Sequence, residues 1–182
     1  MPQEIVISVK LDEKTFKRFA RFDMFTLRKR WVRPLLFSIL LTAFAAAALL
    51  LRKEQSGLIA AVLLAVGLGL PLVYFGTFFS QVNMQAVRQR LDPPRPVYTV
   101  RLTEQGVEAE NRQKKEEPLR LSWQETQRAF RVKGCIYLYV SPVKAFLLPD
   151  GQADAGGAQV WEYLIRHMGK DKCVSRTSTS RP

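Results

Sequence analysis

The sequence predicts an α+β membrane protein: a two-helix transmembrane hairpin inserted between an N-terminal strand plus amphipathic helix and a C-terminal antiparallel sheet or barrel capped by one helix. Three observations carry that prediction. Two runs without a charged residue, Leu35 to Leu51 and Leu58 to Phe79, are separated only by Arg52-Lys53-Glu54-Gln55-Ser56-Gly57. Short alternating runs fill residues 97 to 148 and end in a patterned helix. A lone alternating run, Glu4 to Leu11, stands in front of the first apolar run.

Glu4-Ile5-Val6-Ile7-Ser8-Val9-Lys10-Leu11 places Ile5, Ile7, Val9 and Leu11 on one face of a strand, and that face needs a partner. Asp12 caps a helix reaching to about Trp31, with Glu13 in its first turn. Phe16, Phe19, Ala20 and Phe22 form its apolar stripe, while Lys14, Lys17, Arg18 and Arg21 occupy much of the rest. The stripe either lies at the headgroup level of a bilayer or packs on the soluble part. Strand and basic helix together make an N-terminal segment, 1–33.

The hairpin is assigned to 34–80. Seventeen residues from Leu35 to Leu51 rise ~26 Å, and Trp31 and Val32 extend the run toward the ~30 Å hydrocarbon core. Residues 58–79 rise ~33 Å, enough to cross with some tilt. The first run also follows a basic flank and offers A-x-A-like sites between Ala43 and Ala48, as a signal peptide would. Its length, the patterned residues before it and the second run after it favour a span. Gly57, Ala61, Ala65 and Gly69 recur every four residues, a small-residue face for close helix approach with Ala43 and Ala47 as counterpart. Packing within the hairpin and homodimerisation both use such a face. Pro71 should kink the second helix, and Tyr74, Phe75, Phe78 and Phe79 form an aromatic belt on the side of Trp31.

The formal charge is +12, and its placement sets its meaning. Residues 1–33 carry nine Lys/Arg against four Asp/Glu, and residues 81–182 carry seventeen against eleven. Basic flanks stay on the cytoplasmic side, so Arg28, Lys29, Arg30 and Arg33 before the first helix, with Arg88 and Arg90 after the second, place both termini inside. Only the short link faces outward.

Residues 81–96 read as a helical extension ending in the linker Asp92-Pro93-Pro94-Arg95-Pro96. Strands follow at 97–102, 107–111, 119–123, 127–132, 135–140 and 145–148, with turns at Glu104-Gln105-Gly106 and Lys133-Gly134 and a charged loop from Arg112 to Pro118. A Gly/Ala-rich loop precedes a helix from about Gln159 to Met168, with Val160, Trp161, Leu164, Ile165 and Met168 on one face and Trp161 filling the barrel's open end. The soluble domain is 97–169. The tail, 170–182, reads as disordered. The sheet lacks one strand, and Glu4 to Leu11 is available to supply it. Cys135 and Cys173 lack metal-ligand spacing and read as free thiols, one in a strand and one in the tail.

This pattern resembles the bacterial YcxB-like family, small membrane proteins with two transmembrane helices and a C-terminal pleckstrin-homology-like domain. The resemblance covers nearly the whole chain. It is carried by Leu11 followed by Phe16, Phe19, Phe22 and Arg28-Lys29-Arg30, by the hairpin, and by Val100-Arg101-Leu102-Thr103-Glu104-Gln105-Gly106-Val107. Leu121-Ser122-Trp123, Tyr137-Leu138-Tyr139 and Ala145-Phe146-Leu147-Leu148-Pro149 continue it. Members often place a basic residue directly after the proline at Pro149; here Asp150-Gly151-Gln152-Ala153 stands instead. The resemblance implies a PH-like domain at a bacterial plasma membrane and brings no catalytic residues.

No nucleophile-base pair, metal-ligand spacing or phosphate loop appears in the residues, so neither an enzyme nor a cofactor is expected. His167 reads as a surface histidine, and Glu108 and Glu110 as a solvated strand face. Interleaved acids and bases in the soluble part argue against nucleic acid. The leading expectation is a non-enzymatic, bilayer-integral protein whose cytoplasmic PH-like domain holds a protein partner or its own copies. The alternative is recognition of anionic lipid headgroups through Lys17, Arg18, Arg21, Arg28, Lys29, Arg30 and Arg33, residues that positive-inside topology also explains.

Overall fold

The computed structural model describes residues 4–51, 55–111 and 117–176. The charged part of the link, most of the loop after Asn111 and the end of the tail lie outside these residues. The chain forms two compact units, Met1–Asp12 with Asp92–Pro182, and Glu13–Leu91.

The first unit is built on two four-stranded sheets. β1 (Ile5–Leu11), β2 (Arg95–Leu102), β3 (Gly106–Asn111) and β4 (Leu119–Ser122) form one in that order, all antiparallel. β1 makes the ladder its apolar face requires, pairing Ile5 with Leu102 and Leu11 with Arg95, with one irregularity next to Lys10 where Pro96 has no N–H to offer. The second sheet runs β7 (Ala145–Pro149), β6 (Cys135–Tyr139), β5 (Arg128–Val132), β8 (Cys173–Ser175). β6 is buried at every residue, as a central strand between two neighbours should be. β8 corrects the expectation of a disordered tail: residues 170–172 form a 3₁₀ turn, and β8 pairs parallel with β5, extending the sheet that β5 would otherwise leave open.

The 13-residue helix Gly156–Met168 buries Val160, Trp161, Leu164 and Met168 as its apolar spacing requires. It starts earlier than expected. Gly157, read from sequence as loop, lies in its first turn because the Asp150 side chain packs against it: a β-carbon there would stand 2.5 Å from that of Asp150.

Side chains close the seam between the two sheets. The Tyr98 hydroxyl accepts the Leu147 N–H at 2.8 Å and donates to the Leu147 carbonyl at 3.1 Å, capping the edge of β7. Gln152 does the same for β1, its Oε1 accepting the Lys10 N–H at 2.6 Å and its Nε2 donating to the Lys10 carbonyl at 2.8 Å. Tyr98→Phe strands both backbone groups of Leu147 and should cost about 2 kcal/mol. A fall in the thermal transition of the full-length protein checks it.

The second unit comprises α1 (Glu13–Arg21), a π-helical turn (Phe22–Leu27), α2 (Val32–Leu50) and α3 (Ser56–Arg88). The helix expected to reach Trp31 breaks sooner. Arg28 to Trp31 form a turn in which Lys29 has φ +47, and α2 begins there, two residues before Pro34. α1 packs against α3. The Phe25 ring stacks on Phe75 at 6.0 Å and meets Phe78 edge-on at 6.3 Å, while Trp31 donates its indole N–H to the Phe25 carbonyl at 3.1 Å. α3 is continuous for 33 residues, roughly 50 Å, and passes through Pro71.

Candidate functional surfaces

The basic N-terminal segment carries the first candidate surface. Lys17 forms an ion pair with Glu13 one turn earlier, and Arg28 pairs with Asp23 at 2.8 Å. Two of the seven expected surface cations are thereby drawn into local pairs. Arg18, Arg21, Lys29, Arg30 and Arg33 are exposed, and Lys14, missing from the expected set, joins Arg18 and Arg21 on one helical face.

The second candidate surface, the interhelical seam, is not where the small-residue stripe put it. Gly57, Ala61 and Ala65 are exposed, Gly69 is half-buried, and no side chain or backbone lies within 4 Å of a β-carbon placed at Gly57 or Gly69. The expected counterparts Ala43 and Ala47 are exposed too. α2 packs on α3, and the buried residues of the pair are instead Ser38 and Ala45 of α2 and Ala60 and Gly67 of α3, with Pro34, Leu41 and Ala48 on one helix and Leu64, Pro71, Tyr74 and Phe78 on the other half-buried at the matching spacing. The reason is rotational. A four-residue repeat drifts ~40° per step around a helix, so a stripe of three steps turns through ~120°. Alternating spacings of four and three hold one face.

At the centre of this seam the Ser38 hydroxyl donates to the Gly67 carbonyl. Pro71 lies four residues beyond Gly67 and has no N–H, so that carbonyl lacks its helical donor; Ser38 supplies the missing bond from the neighbouring helix. Gly67 allows the approach, since a β-carbon there would stand 3.2 Å from that of Leu41. Ser38 is the only hydroxyl in α2 besides Thr42, which bonds back to the Ser38 carbonyl at 2.9 Å.

The third surface lies on the β-rich unit. His167 is not the surface residue expected. It is half-buried, stacked on Tyr163 at 4.2 Å and 5.2 Å from the Trp123 ring. Trp123 donates its indole N–H to the carbonyls of Thr103 and Glu104, at 3.0 and 3.2 Å, tying the β2–β3 turn to the helix. Glu108 forms a cross-strand pair with Arg120 at 3.2 Å. A depression of about 400 Å³ opens between the start of β1 and the helix, and a cavity of about 540 Å³ opens where β3 ends and β4 and β7 begin.

Backbone N–H and hydroxyl donation from Ser122 to Glu125, both 2.8 Å, holds the Glu125 carboxyl below its ordinary value. A lowered folded-state pKa contributes stability above the unfolded value and loses it as pH falls through the folded one. The protection factor of the Ser122 amide should therefore fall on acidification below the ordinary carboxylate range, and Glu125→Gln should remove that dependence. Cys135 is buried and forms no disulfide. Burial pushes the Cys173 thiol up to about 11, leaving it a poor nucleophile at neutral pH. Among the described residues no group of three or more His, Cys, Asp or Glu side chains is placed to hold a metal ion.

No family model, curated protein or solved structure matches this chain.

Proposed function

We propose that this is a non-enzymatic membrane-anchored protein, with α2 and α3 crossing a bacterial plasma membrane as a hairpin. Its β-rich unit acts in the cytoplasm as a PH-like interaction or scaffolding module of the YcxB-like type. The observation that carries the anchor is the outward face of the two helices. Both are long and apolar enough to cross a bilayer, yet Leu36, Leu50, Leu58 and Leu72 are between 60% and 83% exposed, which a core helix of a water-soluble protein does not tolerate. The PH-like reading is supported by the order of elements: a four-stranded antiparallel meander, a three-stranded one, then a helix whose apolar face is buried. Self-association through Gly57, Ala61, Ala65 and Gly69 belongs to the same reading, because the hairpin's own seam leaves that stripe uncovered.

Thiol mapping of the full-length protein in intact cells tests the topology. A cysteine at the exposed position Gln55 should react with an impermeant maleimide from outside, and one at Gln105 only after permeabilisation. The opposite pattern, or protein extracted by alkaline carbonate, overturns the anchor. Proximity labelling from the β-rich unit tests the module, and labelling no different from a membrane-tethered control counts against it.

A second reading, anionic headgroup recognition, is favoured by the pairing pattern in the N-terminal segment. From Glu13 to Arg33, Glu13 and Asp23 engage Lys17 and Arg28 locally, and the exposed charged residues of that stretch, Lys14, Arg18, Arg21, Lys29, Arg30 and Arg33, are all basic. Anionic lipid co-purifying equally with the full-length protein and with an Arg21→Gln, Lys29→Gln, Arg30→Gln variant would reject it.

A further inference from the structure

We propose that β7 takes an added strand at Ala145: an extended segment of a partner polypeptide pairs with the Ala145 main chain in the cavity where β3 ends and β4 and β7 begin. The proposal rests on reading the β-rich unit as a protein-interaction module and names the form its partner presents. In an antiparallel ladder the main-chain groups of successive residues point alternately toward the neighbouring strand and away from it. On β7 the Leu147 N–H and carbonyl point away from β6, because the Tyr98 hydroxyl bonds both. The Lys144 carbonyl, three residues earlier, accepts the Val140 N–H and so points inward. Both observations turn the N–H and carbonyl of Ala145 outward, away from its ladder partner Tyr139. Neither group has a hydrogen-bond partner among the described residues.

The outward positions nearby are closed. Leu147 is capped by Tyr98, and Pro149, the next in phase on β7, has no N–H to offer. On β4, Glu125 caps Ser122, its carboxylate taking the N–H at 2.8 Å and its own N–H donating to the carbonyl at 3.1 Å. Alternation then turns Arg120 of β4 outward, and Arg120 lines the same cavity as Ala145. Each of these two strands is therefore blunted at one position and open two residues earlier, and both openings fall on the cavity. Its volume, about 540 Å³, lies within the range of ligand sites. Tyr98, Leu119 and Phe146 on its walls give an apolar side chain next to the paired residue a place to go. Glu110 and Glu117 stand against Lys144 and Arg120, so charge does not select the occupant. The main chain selects it: an outward N–H and carbonyl on one residue match those of another extended strand, which is the geometry of strand addition.

A phage-displayed heptapeptide library panned on the full-length protein in nanodiscs tests this. Enrichment over empty nanodiscs is expected, and the resynthesised peptides should slow hydrogen exchange of the Ala145 amide. Ala145→Pro removes that N–H and should weaken binding about tenfold or more while the thermal transition holds, since proline is tolerated where the N–H faces away from the sheet. N-methylation along the peptide should block binding at alternate residues only, a readout that does not depend on how the variant folds. No enrichment, equal binding to Ala145→Pro, or uniform tolerance of N-methylation overturns the proposal. A dimer in sedimentation that Ala145→Pro dissociates makes a second copy the occupant, and overturns it as well. A module that docks its partner elsewhere would still give specific proximity labelling, so failure here is distinguishable from failure of the module itself.

Discussion

Replacing Gly106 with alanine will lower the stability of the β-rich unit by about 3 kcal/mol or more, the largest single effect expected in that unit. Gly106 opens β3 directly after a tight turn in which the Thr103 N–H donates to the Gly106 carbonyl at 2.9 Å and the Gly106 N–H returns to the Thr103 carbonyl and hydroxyl. It sits opposite Ser122 of β4, and a β-carbon at this position would lie 1.9 Å from the Leu121 carbonyl oxygen. That oxygen is backbone within a paired strand, so it cannot swing aside as a side-chain tip would. Relief requires β3 and β4 to separate, which breaks the turn, the ladder and the Trp123 bonds to Thr103 and Glu104 together. A drop in thermal midpoint on the order of 10 °C for the full-length protein in detergent is the expected readout. Gly151→Ala is the control: nothing lies within 4 Å of a β-carbon there, and its midpoint should move little. A Gly106→Ala protein as stable as this control would mean that the close approach of β3 and β4 is not what the structure describes.

The Glu104-Gln105-Gly106 turn shows what the sequence made legible in this fold. Alternation and turn chemistry located six strands within a few residues, because each is a local signal with period two. The orphan apolar face of Glu4–Leu11 correctly demanded a partner across an 83-residue separation, since an unpaired strand edge is unfavourable wherever it lies. β8 escaped because Cys173-Val174-Ser175 is too short to show alternation; only the open edge of β5 reveals the need for it. Gln152 escaped for a different reason. Its amide mimics a neighbouring strand for Lys10, a role fixed by where the chain passes and marked by no local pattern. Of the surfaces weighed for function, the basic segment was legible as composition, while the local pairing of Lys17 and Arg28 depended on which turn each acid occupied. The opening at Ala145 was not legible, because Ala145, Arg120 and Tyr98 are brought to one cavity only by the tertiary fold.

The hairpin presents the sharpest divergence between pattern and packing, and it yields the second large prediction. Gly67→Leu should uncouple α2 from α3, whereas Ala61→Leu with Ala65→Leu should leave their contact intact. At Gly67 the first added carbon already meets Leu41 at 3.2 Å, so a branched side chain must push the helices apart by several ångströms. The separation removes the Ser38 hydroxyl from the Gly67 carbonyl, leaving an oxygen that Pro71 cannot satisfy within an apolar helix. Loss of packing and of that bond together should cost about 3 kcal/mol. Ser38→Ala isolates the second part and should cost about 1 kcal/mol, since interhelical hydrogen bonds in membranes are individually modest. Ala61 and Ala65 are exposed, so leucine there meets only the surroundings of the hairpin. Disulfide trapping between cysteines placed at Ala45 and Ala60, buried residues of the seam, measures the contact directly in membranes. Trapping should fall in Gly67→Leu and persist in the Ala61→Leu, Ala65→Leu pair, while intermolecular cross-linking in that pair reports whether the uncovered stripe joins two copies. Persistence of trapping in Gly67→Leu, or its loss in the alanine pair, would return the seam to the four-residue stripe. It would also detach Ser38 and Pro71 from any common role.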